Sequence, residues 1–433
     1  MKRCVIEIND SGIELADEDG IRRTSPGYAF CAGREILVGE QAAARLRLNP
    51  RAGHDRFWSR LDQKPLPSAS GPAHSHADLA WYHLRELWTP VHREYDQVLF
   101  AVGDDDPERL ALLLAIARSL DVPLKAMAAS AVVAAAHSAA HAGPADDYLV
   151  LDIHLHEMTA EHVRIAGGHA ELGERRRLAQ HGTARLNERW AQMIGEAFLK
   201  HTRFDPLHSA ASEQQLFDRL PTWLGQLAEQ PRLRVALTSG GHEFAVDLDR
   251  EMFTSIAAPL YRPLLDAANE AGAPVLLRHR LGLLPGFRDR LGSSASGTLL
   301  AAHAVAIGLL SYHLDTEAEN IEEVPYHTRL PLAGGSLASP PATAAPPPAA
   351  THLSDGASLW RLSSEPFPLP PGRPPASGAA ELRLNGDRLR LIAGDATPVS
   401  VNGSPLHGAC DVKSGDTLTV GGQNYMLLHQ CDE

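Results

Sequence analysis

Cysteine is scarce in this chain, and what there is has no pattern. Cys4, Cys31, Cys410 and Cys431 lie far apart without CxxC spacing, so neither a zinc site nor a disulfide framework is signalled and inert thiols in a reducing compartment are expected. Long apolar runs are missing too. The stretch 298–310 is broken by His303 and small residues, short of the roughly 18 apolar residues that read as a membrane helix. The opening Met1-Lys2-Arg3-Cys4-Val5-Ile6-Glu7 reaches an acid too soon for a secretory apolar region, and a soluble, cytoplasmic protein is expected. Positive charge is in deficit, with a formal net charge of −13 and arginines scattered among acids. A nucleic-acid or anionic-membrane partner would need clustered Lys and Arg to displace counterions, so neither is expected. What the composition does contain, 44% hydrophobic and 21% charged residues over 433 positions, is that of a folded protein with room for two or three domains.

The informative stretch is Tyr148-Leu-Val-Leu-Asp-Ile-His-Leu-His-Glu-Met-Thr-Ala-Glu-His-Val163. Residues 148–152 form an apolar run ending in a carboxylate, the pattern of a buried strand that delivers Asp152 to its tip. Residues 5–8 read as another strand, ended by the turn Asn9-Asp10-Ser11-Gly12, with the strand pattern resuming at 13–15. An amphipathic helix is expected over 77–93, a buried strand over 98–102 and a helix over 108–120, the last favoured by its acidic first turn. This alternation of strands and helices predicts an α/β architecture. His154, His156, Glu157 and His162 invite a metal reading, because alternation along a strand would put His154 and His156 on one side. With 22 histidines along the chain, a chance cluster is the stronger expectation, and no metal is assigned.

From its start to about residue 330 the order of segments resembles the DnaK-type heat-shock chaperones and the wider actin-like ATPases. The strongest local match is Ile36-Leu-Val-Gly-Glu-Gln-Ala-Ala-Ala-Arg45, followed by Asn49-Pro50. The resemblance implies a two-lobed, ribonuclease H-like α/β fold over residues 1–332, with ATP and magnesium gripped between two phosphate hairpins. Asp10, Gly12 and Asp152 are the residual nucleotide residues that it assigns. A gap-free match places Asn9 and Ser11 at the first hairpin's Asp-x-Gly positions, and a shift by one restores Asp10 and Gly12 there.

Measured against that family, the chemistry is thin. The second hairpin carries His154, Leu155 and His156 where glycines would let the backbone approach phosphate oxygens. Ser59, in Ser59-Arg60-Leu61, stands where a catalytic Lys would put positive charge on the transferring phosphoryl group. Ala128-Ala129-Ser130 replaces an Asn-Glu-Pro, and residues 220–229 lack the cations of the adenine-pocket helix. Arg278-His279-Arg280-Leu281-Gly282-Leu283-Leu284-Pro285 replaces a Gly-Gly-x-x-Arg-x-Pro turn that contacts adenosine. The implied function is therefore non-catalytic: a pseudo-ATPase scaffold or co-chaperone-like protein without a cofactor. Its partner would be another protein, an active DnaK-like homologue being the one the resemblance implies. The alternatives are a divergent magnesium-dependent ATP-binding chaperone or ATPase using Asp10, Gly12 and Asp152, and a phosphopeptide-binding adaptor acting through the C-terminal region.

Residues 333–353 are dominated by Pro, Ala, Gly, Ser and Thr and read as a linker. Period-two strands separated by Asn385-Gly386, Asn402-Gly403 and Gly421-Gly422 then predict a small β-sandwich over 354–433. Val401-Asn402-Gly403 and the Ser414-Gly-Asp-x-Leu-x-Val-Gly421 segment resemble the end of a forkhead-associated domain. By that resemblance Arg373 and Ser377 are remnants of a phosphothreonine site, but only three residues separate them, too few for the family's intervening strands. A shortened docking module is expected, with Arg373, Ser377 and Asn402 as its candidate partner-binding residues.

Overall fold

In the computed structural model of the chain, the described residues are 1–66, 71–103, 106–142, 145–291, 297–314, 324–332, 336–337, 352–355, 359–362, 365–371, 379–385, 388–394 and 397–428. They fall into two compact units, Met1–Ser339 and Pro340–Glu433.

The first unit opens with the meander β1 (Arg3–Ile8), β2 (Ile13–Asp17) and β3 (Gly20–Ser25). A small sheet follows from β4 (Ala29–Ala32), β5 (Glu35–Val38) and β6 (Gly53–His54), with the short helix α1 (Gly39–Ala43) after β5. Next come α2 (His76–Trp88), β7 (Gln97–Val102), α3 (Pro107–Ser119), β8 (Leu124–Ala129) and α4 (Ser130–Ala142). Helix starts follow local chemistry. Ser75 and Asp78 make a reciprocal capping box at α2, and Asp106 accepts from two amides of α3 just before Pro107.

A second meander, β9 (Asp147–Ile153), β10 (Glu157–Ala166) and β11 (His169–Ala179), leads into the long helices α5 (Thr183–Thr202) and α6 (Ala210–Glu229). The hairpin β12 (Arg232–Ser239) and β13 (His242–Asp249) precedes α7 (Arg250–Glu270), β14 (Val275–Leu277), α8 (His279–Gly282), α9 (Phe287–Leu291), β15 (Gly297–Leu299) and α10 (Ala304–Leu310). The unit ends in β16 (His313–Leu314), β17 (Tyr326–His327), β18 (Arg329–Pro331) and β19 (Ser336–Leu337).

Two large sheets carry this unit, ordered β3-β2-β1-β7-β8-β17 and β11-β10-β9-β14-β15, with β18 added outside β11. In both, the first strand pairs antiparallel with the second and parallel with the fourth. The same order, third-second-first-fourth-fifth, thus occurs twice in one chain. The fold class is mixed α/β, as the alternating patterns predicted.

Strand alternation explains how one chain builds adjoining cores. On β1, Cys4 and Ile6 pack with α2 and α3, while Val5 points to the other face. On β9, Leu149, Leu151 and Ile153 pack with α5 to α7, while Tyr148 and Val150 join Val5 in the layer between the sheets. That middle layer is filled by α4 and α10. Alanines at 131, 134, 135, 136 and 139 keep α4 thin, and Gly308 of α10 lies so close that an added Cβ would come within 3.1 Å of Val133. The strands therefore read as continuous apolar runs, being covered on both faces.

The second unit is all β. One sheet has the order β21-β20-β29-β28-β25-β26 and the other β22-β23-β24-β27. Its strands are β20 (His352–Ser354), β21 (Leu359–Arg361), β22 (Phe367–Leu369), β23 (Ala380–Asn385), β24 (Arg388–Ile392), β25 (Val399–Val401), β26 (Ser404–Pro405), β27 (Ala409–Val412), β28 (Thr417–Val420) and β29 (Gln423–Leu428). Leu353, Leu418 and Leu427 from one sheet meet Leu382, Leu391 and Val412 from the other in a shared core. Among the described residues no helix is long and apolar enough to cross a membrane.

Candidate functional site

The candidate site lies where the central strands β1 and β9 end. After Ile8 the chain turns through Asn9 to Gly12, the Gly12 amide donating to the Asn9 carbonyl at 2.9 Å. After Ile153 it turns through His154, Leu155 and His156 into β10. The two turns are bonded to one another. The Asp10 carboxylate accepts from the Leu155 amide at 2.7 Å, and the Asn9 side-chain amide donates to Asp152 Oδ2 and to the Ile153 carbonyl, both at 3.2 Å. Ser11 Oγ donates to Asn9 Oδ1 at 2.7 Å and fixes which way that amide points. Asp152 Oδ1 accepts from the Ile153 amide at 2.8 Å.

Asp10, Gly12 and Asp152, assigned from far-apart segments, are thus brought together, and both carboxylates are buried. Asn9 sits at the strand tip facing Asp152, and Asp10 reaches across to the second turn. Gly12 does not adopt a left-handed backbone, and a Cβ there would make only ordinary contact with Thr24 at 3.4 Å, so its backbone freedom is not being used.

The second turn is backed by α5. The amides of Thr183 and Ala184 donate to the carbonyls of His154 and Leu155 at 3.0 and 2.9 Å, so the helix's first free N–H groups are spent on the turn. Gly182 permits this approach: a Cβ there would lie 2.4 Å from the Leu155 oxygen and 2.5 Å from the His156 nitrogen. His154 and His156 stand in this turn rather than on one strand face. His156 Nε2 is bonded to the Asp55 carbonyl at 2.8 Å, while His154 Nδ1 is 3.8 Å from Asp10. Among the described residues no group of three or more His, Cys, Asp and Glu side chains could hold a metal ion.

Beneath the turns, the segment after β14 drives two guanidinium groups inward. Arg278 Nη2 and Arg280 Nη1 donate to Glu7 Oε1 at 2.5 and 2.7 Å. Arg280 Nη2 also donates to the Gly12 carbonyl at 3.0 Å and lies 3.1 Å from Glu14, which His279 Nε2 meets at the same distance. Glu7 and Glu14 face each other across β1 and β2, a like-charge pair that these cations offset. Burial pushes the Glu7 carboxyl up, but Arg278 and Arg280 outweigh it and hold it well below the usual carboxylate range. For Arg280, burial works against the cation, and Glu7, Asp152 and Glu14 more than restore it.

No family description matches this chain, and no curated protein is significantly similar to it. Its chemistry rests on the geometry alone.

One Ser–His pair emerges that no sequence motif announced. Ser25 Oγ lies 2.7 Å from His83 Nε2, the spacing of a nucleophile and its base. The Trp58 indole N–H, which can only donate, bonds His83 Nδ1 at 2.9 Å. Burial pulls the His83 pKa down to about 3, so the ring is neutral and its one proton resides on Nε2. His83 therefore donates to Ser25 and cannot take its proton, which makes the pair a half-buried structural bond. Ser59 spends its hydroxyl on the Arg56 carbonyl at 3.1 Å.

In the second unit, Asn402 is committed internally. Its side chain donates to Asp416 Oδ1 and accepts from the Thr417 amide, both at 2.9 Å, tying the β25–β26 turn to the loop before β28. Its φ of 50° is the left-handed value that asparagine tolerates at such turns. Arg373 and Ser377 lie outside the described residues. Sequence reasoning missed Arg278 and Arg280 as site residues. Two arginines directly after a buried apolar strand were the available signal, because such residues are rarely buried unless paired.

Proposed function

We propose that residues 1–332 form a two-lobed fold of the actin and DnaK type whose nucleotide cleft is filled by its own side chains, and that the protein is a non-catalytic scaffold that binds another protein. The repeated strand order of the two sheets supports the fold reading, since each half then contributes one turn to a shared cleft. The observation that carries the functional reading is the bonding between those turns. Asp10 accepts from the Leu155 amide and Asp152 from Asn9, so the groups that would meet phosphate and magnesium are already partnered by the chain. Displacing them would cost desolvated hydrogen bonds that the ligand must replace.

Thermal-shift titration with ATP, ADP and magnesium, followed by calorimetry, is the test. A flat response is expected. A saturable, magnesium-dependent rise in melting temperature would overturn the reading, because any ligand that binds the native state stabilises it. The second reading, a divergent ATPase, draws on the convergence of Asp10, Gly12 and Asp152 and requires that Asp10→Ala abolish such a shift. For the scaffold reading, affinity capture with the full chain is expected to return a specific protein partner.

A further inference from the structure

We infer that the two halves of the first unit are latched together over the candidate site by Arg47 and Gln214, so that the site is held closed without a ligand. Arg47 follows α1 in the first half. Its guanidinium lies 3.6 Å above the Phe217 ring, donates to Glu213 at 3.2 Å and pairs with Glu188, all three residues belonging to α5 and α6 of the second half. A planar guanidinium can serve two carboxylates and stack on a ring at once, which an ammonium cannot.

Gln214 completes the grip. Its Oε1 accepts from the Arg47 amide at 2.8 Å, and its Nε2 donates to the Ala43 carbonyl at 2.9 Å. One buried side chain of α6 thereby holds both ends of the turn 43–47. A second connection runs from His156 to the Asp55 carbonyl. Deeper in, Arg278 and Arg280 bind Glu7 and Glu14 across the same divide.

The two levels differ in solvent access. The Arg47, Glu188 and Glu213 side chains are 26%, 49% and 27% exposed, whereas those of Arg278 and Glu7 are 2% and 5% exposed. Salt and water weaken the outer level and scarcely reach the inner one. Opening is therefore expected to start at Arg47.

The test is a spin-label distance measurement on the full chain, labelled at the exposed positions Arg51 and Arg219 through Arg51→Cys and Arg219→Cys, with Cys410→Ser and Cys431→Ser. Cys4 and Cys31 can stay, because both are buried and burial raises their pKa values to about 12 and about 11. A single narrow distance without nucleotide is expected, together with a longer, broader distribution when Arg47→Ala and Gln214→Ala are added. A broad distribution in the parent, or an unchanged narrow one in the double variant, would overturn the latch. Should the double variant fail to fold, hydrogen exchange in the parent decides. Slow exchange of the Arg47 amide supports the latch, and exchange as fast as in an open loop refutes it. A distance change on adding ATP and magnesium would count against the reading that the cleft takes no nucleotide, and not against the latch.

Discussion

Glu7 and Glu161 sit at matched depths in the two sheets, 3% and 4% exposed, yet their acidities move in opposite directions. Burial pushes both carboxyls up. For Glu7, Arg278 and Arg280 outweigh that push. For Glu161 burial wins, although Arg175 Nε lies 2.9 Å away and His154 helps, while Asp152 adds to the rise. The number of cations delivered to the site decides the sign. One neighbouring-strand arginine does not repay the desolvation, and two from the opposite half do.

The largest effect expected from breaking this contrast is at Glu7. Glu7→Gln leaves Arg278 and Arg280 without their shared anion in a buried place, and a loss of about 3–5 kcal/mol is expected in urea denaturation. A loss below about 1 kcal/mol would mean that the cluster repacks around Glu14.

Asn9→Asp comes next. It sets a new carboxylate against Asp152, where the Asn9 amide now donates at 3.2 Å, and is expected to cost about 1–3 kcal/mol. Magnesium should not restore the loss. Full recovery on adding it would show that the paired acids can still take a cation.

The smallest effect is expected at Glu161 and is best read through pH. Glu161→Gln takes away a carboxylate that burial already disfavours but leaves Arg175 without that partner, so a loss smaller than that of Glu7→Gln, about 1–2 kcal/mol, is expected at neutral pH. The sign of the pH dependence separates the two acids. Glu7 is depressed in the fold, so its stabilisation is present above its ordinary value of 4.5 and is lost as pH falls below that toward the depressed value. Glu161 is raised, so its contribution is most favourable when protonated and is lost as pH climbs from 4.5 through the raised value. Stability measured across that range should lose its acid-side fall in Glu7→Gln and its decline just above pH 4.5 in Glu161→Gln. Parallel curves for both variants would contradict the assignment.

Much of the architecture was legible in local pattern. The opening meander, the buried strands at 98–102 and 148–152 and the start of α3 follow from alternating and continuous apolar runs, turn residues and an acidic first turn, each set by neighbours a few positions away. Asp10, Gly12 and Asp152 were named through the family resemblance, at or just beyond the ends of such strands. Their state could not be read. Whether Asp10 waits for a cation or is spent on the Leu155 amide depends on how two turns from segments 145 residues apart come to rest.

The Ser25–His83 pair marks the same boundary. Neither its proximity nor its inertness is visible until Trp58 fixes the ring's proton. Nothing in its neighbours in sequence marks Arg47, and only the packing of α5 and α6 gives it two acids, a ring and an amide. By itself the sequence determined the alternating strands and helices, the Pro- and Ala-rich stretch before the β unit and a second turn made of His154, Leu155 and His156 without glycine, because each is a property of adjacent residues. The tertiary structure alone decided that the two turns are bonded to each other and that Glu7 and Glu14 are balanced by Arg278 and Arg280, because the energies of buried charges depend on partners that only the folded chain brings within contact.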